Sequence, residues 1–317
     1  MINAYHREND LYSISRVNAE QPLPENTLWL DLVDLDEQEN EWLEKECPGF
    51  IYDDDELHEI EASSRFFESE TGFHIRSLFP HQSGQELKNI NIAFNLRDDQ
   101  LITLQDEPTA LFRLMRNYLK LQVVKARTPM DIVIALFDAK VEFLADTLEE
   151  VYENLEAISR HALSDEANDV DELLKNITLQ EDINGKARLN LLDSQRCLRY
   201  LLKSCRHKLD DGQIDEIRDI LRDIDSLTPH TGFLFEKINF LMEATMGFIN
   251  LEQNNIIKIF SVAAVMFLPP TLIASIYGMN FKVMPELATS WGYPMALVLM
   301  VSSALGTYLF FKRKGWL

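Results

Sequence analysis

Cysteine is scarce in this chain and its few copies are not patterned for metal. Cys47, Cys197 and Cys205 have no ligand spacing, and three is an odd count for a disulfide framework, so the body is expected in a reducing cytosol. The motifs of the common nucleotide and metalloenzyme sites are missing too. There is no GxxxxGKS/T phosphate loop, no dinucleotide-binding glycine fingerprint and no HExxH. Seven histidines are scattered, none at zinc spacing with cysteines. His58 and His74 read as ordinary surface or core residues, and no Ser/His/Asp order can be defended. These absences speak against an enzyme, a nucleotide-driven pump and any organic cofactor. The first residues, MINAYHREND, lack the basic and apolar regions of a signal peptide, so the soluble part is expected to stay where it is made.

Positive charge is the next shortage. Thirty Lys and Arg face 52 Asp and Glu, a net of −22, and the imbalance is uneven. Residues 256–317 hold five basic groups and one acid, Glu286, a net of +4. The first 255 residues therefore carry −26. Such a body repels nucleic acid and anionic headgroups and attracts cations, although solubility alone would also account for it.

What the C-terminal part has in quantity is apolar length. Ile259–Tyr277 and Gly292–Phe311 run for nineteen and twenty residues without a charge. At a rise of ~1.5 Å per residue each is about 30 Å long, the thickness of a bilayer's hydrocarbon core. Two transmembrane helices follow. Lys258 precedes the first span and Lys312, Arg313 and Lys314 follow the second, while the loop between them has only Lys282. The positive-inside bias puts both termini in the cytoplasm and the loop outside.

A seam runs along the first span. Asn254, Ile257, Ser261, Ala264, Leu268, Thr271 and Ser275 recur at steps of three and four, and five of the seven are small or polar. Phe260 can replace Ser261 on that face. Close helix packing, with Ser and Thr bonded back to their own backbone, is one reading. A water-lined axis surrounded by several copies is the other. Pro269-Pro270 frees backbone carbonyls that neighbours or water must satisfy, which leans toward the wet axis.

The loop begins with YGMNFKVMPEL, residues 277–287. Gly278 is expected to end the helix, as glycine does at C′, and to let the chain turn. Were several copies to surround a pore, Asn280 would offer one carbonyl oxygen per copy at its mouth. An uncharged ring cannot strip water from a small divalent ion, but it accepts hydrogen bonds from bound waters. Mg²⁺, which dehydrates reluctantly, suits that chemistry. An Asn cap followed by an ordinary loop is the alternative.

The eleven residues YGMNFKVMPEL resemble the signature of the CorA family of magnesium transporters, in which Gly-Met-Asn ends the first of two C-terminal spans and MPEL follows. EQNNIIKIFS and FLPPTLIASIYGMNF look like that family's first membrane helix, and the order of parts agrees along the chain. The resemblance implies a funnel-shaped homopentamer in a bacterial inner membrane, carrying Mg²⁺ and often Co²⁺ and Ni²⁺. It implies an outer selectivity ring of Gly278, Met279 and Asn280, and pore-facing roles for Asn254, Ile257, Leu268 and Thr271. It further implies that cytoplasmic acids sense internal Mg²⁺ and close the pore. Asp53, Asp54 and Asp55 in YDDDELHEIE are candidates, with Glu243 on the stalk chosen by its distance from GMN; solvated acids are the plainer account of each.

The body reads as α+β. NTLWLDLV (26–33), GFHIRSLF (72–79) and NIAFNLRDDQLITLQ (91–105) read as strands, the last a hairpin about RDDQ, in a mostly antiparallel sheet. Residues 36–47 and 55–63 read as short helices. A long helix from Pro129, a second over about 171–208 and a third over 213–227 follow. Thr228-Pro229 reads as the start of a stalk helix continuous with the first span, about 75 Å long. The expected divisions are 1–128, an α/β domain; 129–228, long acidic helices; 229–278, stalk and first span, with 257–277 in the membrane; 279–291, external loop; 292–311, second span; and 312–317, basic tail. Passive, potential-driven Mg²⁺ uptake is the leading reading. Zn²⁺ or divalent-cation efflux, and a membrane-anchored sensor without transport, remain alternatives.

Overall fold

The computed structural model describes residues 1–8, 11–50, 65–84, 86–162, 170–280 and 284–315. They form two compact units, Met1–Met242 and Glu243–Leu317. The first unit is built on seven strands: β1 (Ile2–Glu8), β2 (Leu11–Val17), β3 (Thr27–Val33), β4 (Phe66–Ser69), β5 (Gly72–Ser83), β6 (Glu86–Leu96) and β7 (Leu101–Gln105). Their order is β2-β1-β3-β7-β6-β5-β4. Only the β3–β7 pairing is parallel, so the expected mostly antiparallel sheet is present. The β6–β7 hairpin turns about RDDQ, where the Arg97 amide donates to the Gln100 carbonyl at 2.9 Å.

Strand periodicity sorts side chains onto two faces. Leu30, Leu32, Ala93, Ile102 and Leu104 pack with Trp42 and Leu43 of helix α1 (Glu37–Glu46). Asp36 caps that helix in a reciprocal box with Glu39. Trp29, Phe79, Phe94 and Leu101 face the opposite side, toward helices α2 (Ala110–Lys120) and α3 (Pro129–Ala162). Phe79, Phe94, Phe112 and Phe137 form an aromatic cluster there, with centroids 5.4–6.2 Å apart. Each such burial is worth about 1.5–3 kcal/mol.

The long helices carry seams at steps of three and four. Helix α3 buries Ile134, Phe137, Val141, Leu144, Leu148, Val151, Leu155 and Ile158. Helix α4 (Val170–Ser204) buries Leu173, Ile177, Ala187, Leu191, Leu198 and Leu201. It also buries Asp193, which joins sheet and helices. The Asp193 carboxylate accepts from Ser77 Oγ at 2.6 Å and from the Leu78 amide at 2.8 Å. Arg65 Nη1 stands 3.1 Å from its other oxygen, and Lys140 Nζ of α3 is 3.6 Å away. Lys140 is fully buried, its ammonium 4.6 Å from the Phe79 ring centroid. Burial pulls its pKa below the lysine range, and Asp193 opposes the shift.

One expected boundary is absent. Helix α5 runs from Asp211 to Tyr277 without a break at Thr228-Pro229. Its start is a box in which Asp210 Oδ1 accepts from the Gln213 amide and Gln213 Oε1 accepts from the Asp210 amide. Pro229 removes the amide that would serve the Asp225 carbonyl, but both residues lie on the exposed flank where water can replace it. Ile217, Ile220, Ile224, Leu234, Ile238 and Leu241 bury the inner flank on both sides of the proline. Packing continues the helix where the local signal would begin one.

Candidate functional site

Two helices among the described residues are long and apolar enough to cross a membrane: the C-terminal stretch of α5 and α6 (Gly292–Arg313). Both lie in the second unit. Along α6 the less exposed positions are Gly292, Ala296, Met300, Ser303, Ala304, Thr307 and Phe311, one stripe of a helix. Along the α5 span they are Val262, Ala263, Met266, Pro269, Pro270, Ile273 and Tyr277. A groove lined by Asn254, Ile257, Lys258, Ser261, Val262 and Val265 brings Phe311 beside the start of the first span. The chain therefore covers one face of its first span.

From Ala264 to Ser275 the seam lies on the other face, whereas Asn254, Ile257 and Ser261 share the groove with Phe311. Asn254, Ile257, Ser261, Ala264, Leu268, Thr271 and Ser275 are all exposed in the single chain. At about 100° per residue their mean direction is roughly 180° from the covered stripe. Exposure alone does not mark them, because Phe260, Phe267 and Leu272 are exposed as well. Composition does: the flanks are bulky, and five of the seven seam residues are small or polar. At Thr271 the hydroxyl donates to the Phe267 carbonyl at 2.7 Å, the back-bonding that close packing would use. Ser303 and Thr307 of the second span do the same to Met300 and Ser303.

The seam's next step is Gly278, where α5 ends. Its amide donates to the Ala274 carbonyl at 2.9 Å, and the Met279 amide to the Ile276 carbonyl at 3.3 Å. The helix ends at Gly278 as expected, and it does so without positive φ at the glycine. What glycine supplies here is closeness, since a Cβ would stand 3.2 Å from the Ala274 oxygen. Met279 and Asn280 follow, exposed and beyond the last helical turn.

Pro285–Ala288 forms a 3₁₀ turn that begins with proline and carries the exposed Glu286. This turn sits against the start of α6. The Glu286 carbonyl accepts from Thr289 Oγ1 at 2.8 Å, and the Gly292 amide donates to the Thr289 carbonyl at 3.2 Å. Sequence reasoning stopped at MPEL and missed Thr289 and Gly292. The only signal was a glycine placed first in a span that needs no glycine there.

Of the acids proposed as sensors, Asp53, Asp54 and Asp55 lie outside the described residues. Glu243 is exposed on α5. Among the described residues no group of three or more His, Cys, Asp or Glu is arranged to hold a metal. An acidic groove between α3 and α5 is lined by Asp131, Asp138, Asp210, Glu216, Asp219 and Asp223. Burial, then Glu142 and Asp223, raises the Asp138 pKa; burial, then Asp131 and neighbouring acids, raises that of Glu216. Elsewhere, the buried ring of His74, stacked on Phe67 at 4.4 Å, is bonded to Ser69 and Asn95, as expected of a core histidine.

A family model described as CorA-like Mg²⁺ transporter protein matches residues 24–313. The magnesium transport protein CorA of Escherichia coli strain K12 is 45% identical over 319 residues, covering the whole of both chains. Among solved structures, the complete CorA magnesium transporter of Methanocaldococcus jannaschii has a TM-score of 0.76 at 18% identity, over 100% of this chain and 99% of that one. The full-length CmaX protein has 0.70 at 15%, over 99% and 97%. At those identities the structural likeness speaks for the fold, and the sequence likeness for kinship. The chain belongs to the CorA-like Mg²⁺ transporter family.

Proposed function

We propose that this protein is a passive channel for Mg²⁺ uptake, with Co²⁺ and Ni²⁺ as further cargo. The observation that carries the proposal is a seam, small or polar at five of seven positions, that from Ala264 to Ser275 lies away from the covered stripe and leads directly into Gly278-Met279-Asn280. Five copies surround one axis, as the family resemblance implies, with Asn254, Ile257, Ser261, Ala264, Leu268, Thr271 and Ser275 lining it and Phe260 at its edge. Asn280 contributes a neutral carbonyl from each copy and accepts hydrogen bonds from the waters that Mg²⁺ keeps. Glu286, the one acid in residues 256–317, adds negative charge to the external loop. Both termini lie in the cytoplasm and the spans in the inner membrane.

The driving force needs no chemistry. A divalent ion gains about 4.6 kcal/mol per 100 mV of inside-negative potential, roughly a 2,000-fold accumulation. Closure is assigned to cytoplasmic Mg²⁺ held between subunits by acids, with Asp53, Asp54, Asp55 and Glu243 as the candidates; mutual repulsion separates them when the ion leaves.

The test is Mg²⁺ entry into liposomes holding purified protein, native against Asn280→Ala, under an inside-negative potential and low internal Mg²⁺. Entry by the native protein, lost with the substitution, is expected. No entry from folded native protein would reduce the spans to an anchor. Entry of Zn²⁺ in preference to Mg²⁺ from equimolar mixtures would overturn the choice of cargo.

A further inference from the structure

We propose that Gly292 is a positioning residue for transport: by lacking a side chain it seats the Pro285–Ala288 turn against the start of the second span and so fixes Glu286 in the external loop. The inference rests on the uptake reading above. A Cβ at residue 292 would stand 2.1 Å from the Glu286 carbonyl oxygen, 3.1 Å from its carbon and 3.3 Å from Thr289 Oγ1. Nonbonded contact begins near 3.5 Å, so any other residue forces the turn away by about an ångström or more. The obstacle is backbone and cannot rotate aside. Nor is the glycine there for its dihedral freedom, because its φ is not positive.

The seat is closed on both sides. Thr289 reaches back with its hydroxyl to the Glu286 carbonyl at 2.8 Å, its amide donates to the same oxygen at 3.4 Å, and its own carbonyl receives the Gly292 amide at 3.2 Å. Glu286 is thereby tied, through its own backbone, to the first residue of a membrane helix. Its carboxylate is exposed. Eleven residues separate Asn280 from Gly292, so a turn anchored at the second span also limits where the chain leaving the Asn280 ring can travel.

The test uses the full-length protein in liposomes and measures entry against external Mg²⁺ for native, Gly292→Ala, Glu286→Gln and the double variant. Amide exchange of residues 286–292 is measured on the same samples. Expected are exchange at least tenfold faster in Gly292→Ala, a half-saturating Mg²⁺ raised at least twofold with maximal entry largely kept, and a double variant no worse than Glu286→Gln alone. Unchanged exchange overturns the seat. Faster exchange with unchanged half-saturation, or with effects of the two substitutions that multiply, overturns the positioning role. Loss of maximal entry alone marks Gly292 as structural and does so as well. A native protein that carries no Mg²⁺ refutes the uptake reading, and the exchange data still decide the seat.

Discussion

Replacing Asp193 by asparagine should destabilise the first unit far more than removing the lysine beside it. Around the carboxylate stand Ser77 Oγ at 2.6 Å, the Leu78 amide at 2.8 Å, Arg65 Nη1 at 3.1 Å, Lys140 Nζ at 3.6 Å and the Cys197 thiol at 4.0 Å. Asparagine keeps one acceptor oxygen but leaves the fully buried Lys140 with no carboxylate to oppose its desolvation. Breaking a buried pair from one side costs about 3–5 kcal/mol. Lys140→Met is different. It fills similar space among Phe79 and Phe137 and leaves Asp193 with Arg65, the hydroxyl and the amide, so its cost is about 1–2 kcal/mol.

Thermal unfolding of the full-length protein in detergent reads the difference. For a unit of this size 1 kcal/mol shifts the midpoint by about 2–4 °C, so Asp193→Asn should lower it by roughly 10 °C and Lys140→Met by about a third of that. The double variant should be more stable than Asp193→Asn alone, because its lysine no longer needs a partner. A Lys140→Met protein as unstable as Asp193→Asn, or two effects that simply add, would refute the assignment of Asp193 as the group that makes the buried ammonium tolerable.

Two further outcomes follow from local geometry. Burial first, then Arg97 and Arg76, lowers the His74 pKa to about 4, well below its ordinary 6.5. The unfolded chain therefore binds the extra proton first, and stability present above pH 6.5 is lost as pH falls toward 4, by about 3 kcal/mol in all. His74→Gln should flatten that part of a pH–stability curve, and an unchanged slope would sink the account. At Gly278, a Cβ 3.2 Å from the Ala274 oxygen needs only a shift of a few tenths of an ångström, and φ is not positive. Gly278→Ala should therefore assemble and melt within about 0.5 kcal/mol of native; misfolded protein on size exclusion would contradict it.

Much of the body was legible because its signals are local. NTLWLDLV, the RDDQ hairpin and the apolar run after Pro129 each name their own element, and β3, β6, β7 and α3 are found there. The β1–β2 hairpin was not read, since INAYHRE and LYSISRV alternate weakly and owe part of their burial to β3 alongside. Helix α2 carried a readable period, with Leu111, Phe112, Met115 and Leu119 on one face, that was overlooked. Strand order, the parallel β3–β7 pair and the Asp193 contacts bring together residues far apart in sequence, and no periodicity announces them. At the site the apolar helix that carries the seam was legible, whereas the approach of Glu286 to Gly292 depends on a turn whose geometry the letters PELATSWG do not specify.

The direction of the seam bears on whether the spans are more than an anchor. An anchor needs its two helices to cover one another; Val262, Met266 and Ile273 on one and Ala296, Met300 and Ser303 on the other are their less exposed positions, and Phe311 shares a groove with Val262 and Val265. The opposite face of an anchor would meet lipid, where bulky apolar side chains cost nothing and polar ones gain nothing. Bulky residues are indeed present at Phe260, Phe267 and Leu272, which flank the seam, while within it only Ile257 and Leu268 are bulky. Thr271 can silence its hydroxyl on the Phe267 carbonyl, so threonine alone decides little. Asn254 and Asn280 bracket the seam with amides, which have too many donors and acceptors for a single back-bond to satisfy. A face that is small or polar at five of seven positions and amide-bearing at both ends suits other copies of itself and water better than lipid. If Asn280→Ala left Mg²⁺ entry intact, that argument would lose its outer end, and the seam would be reduced to a packing surface.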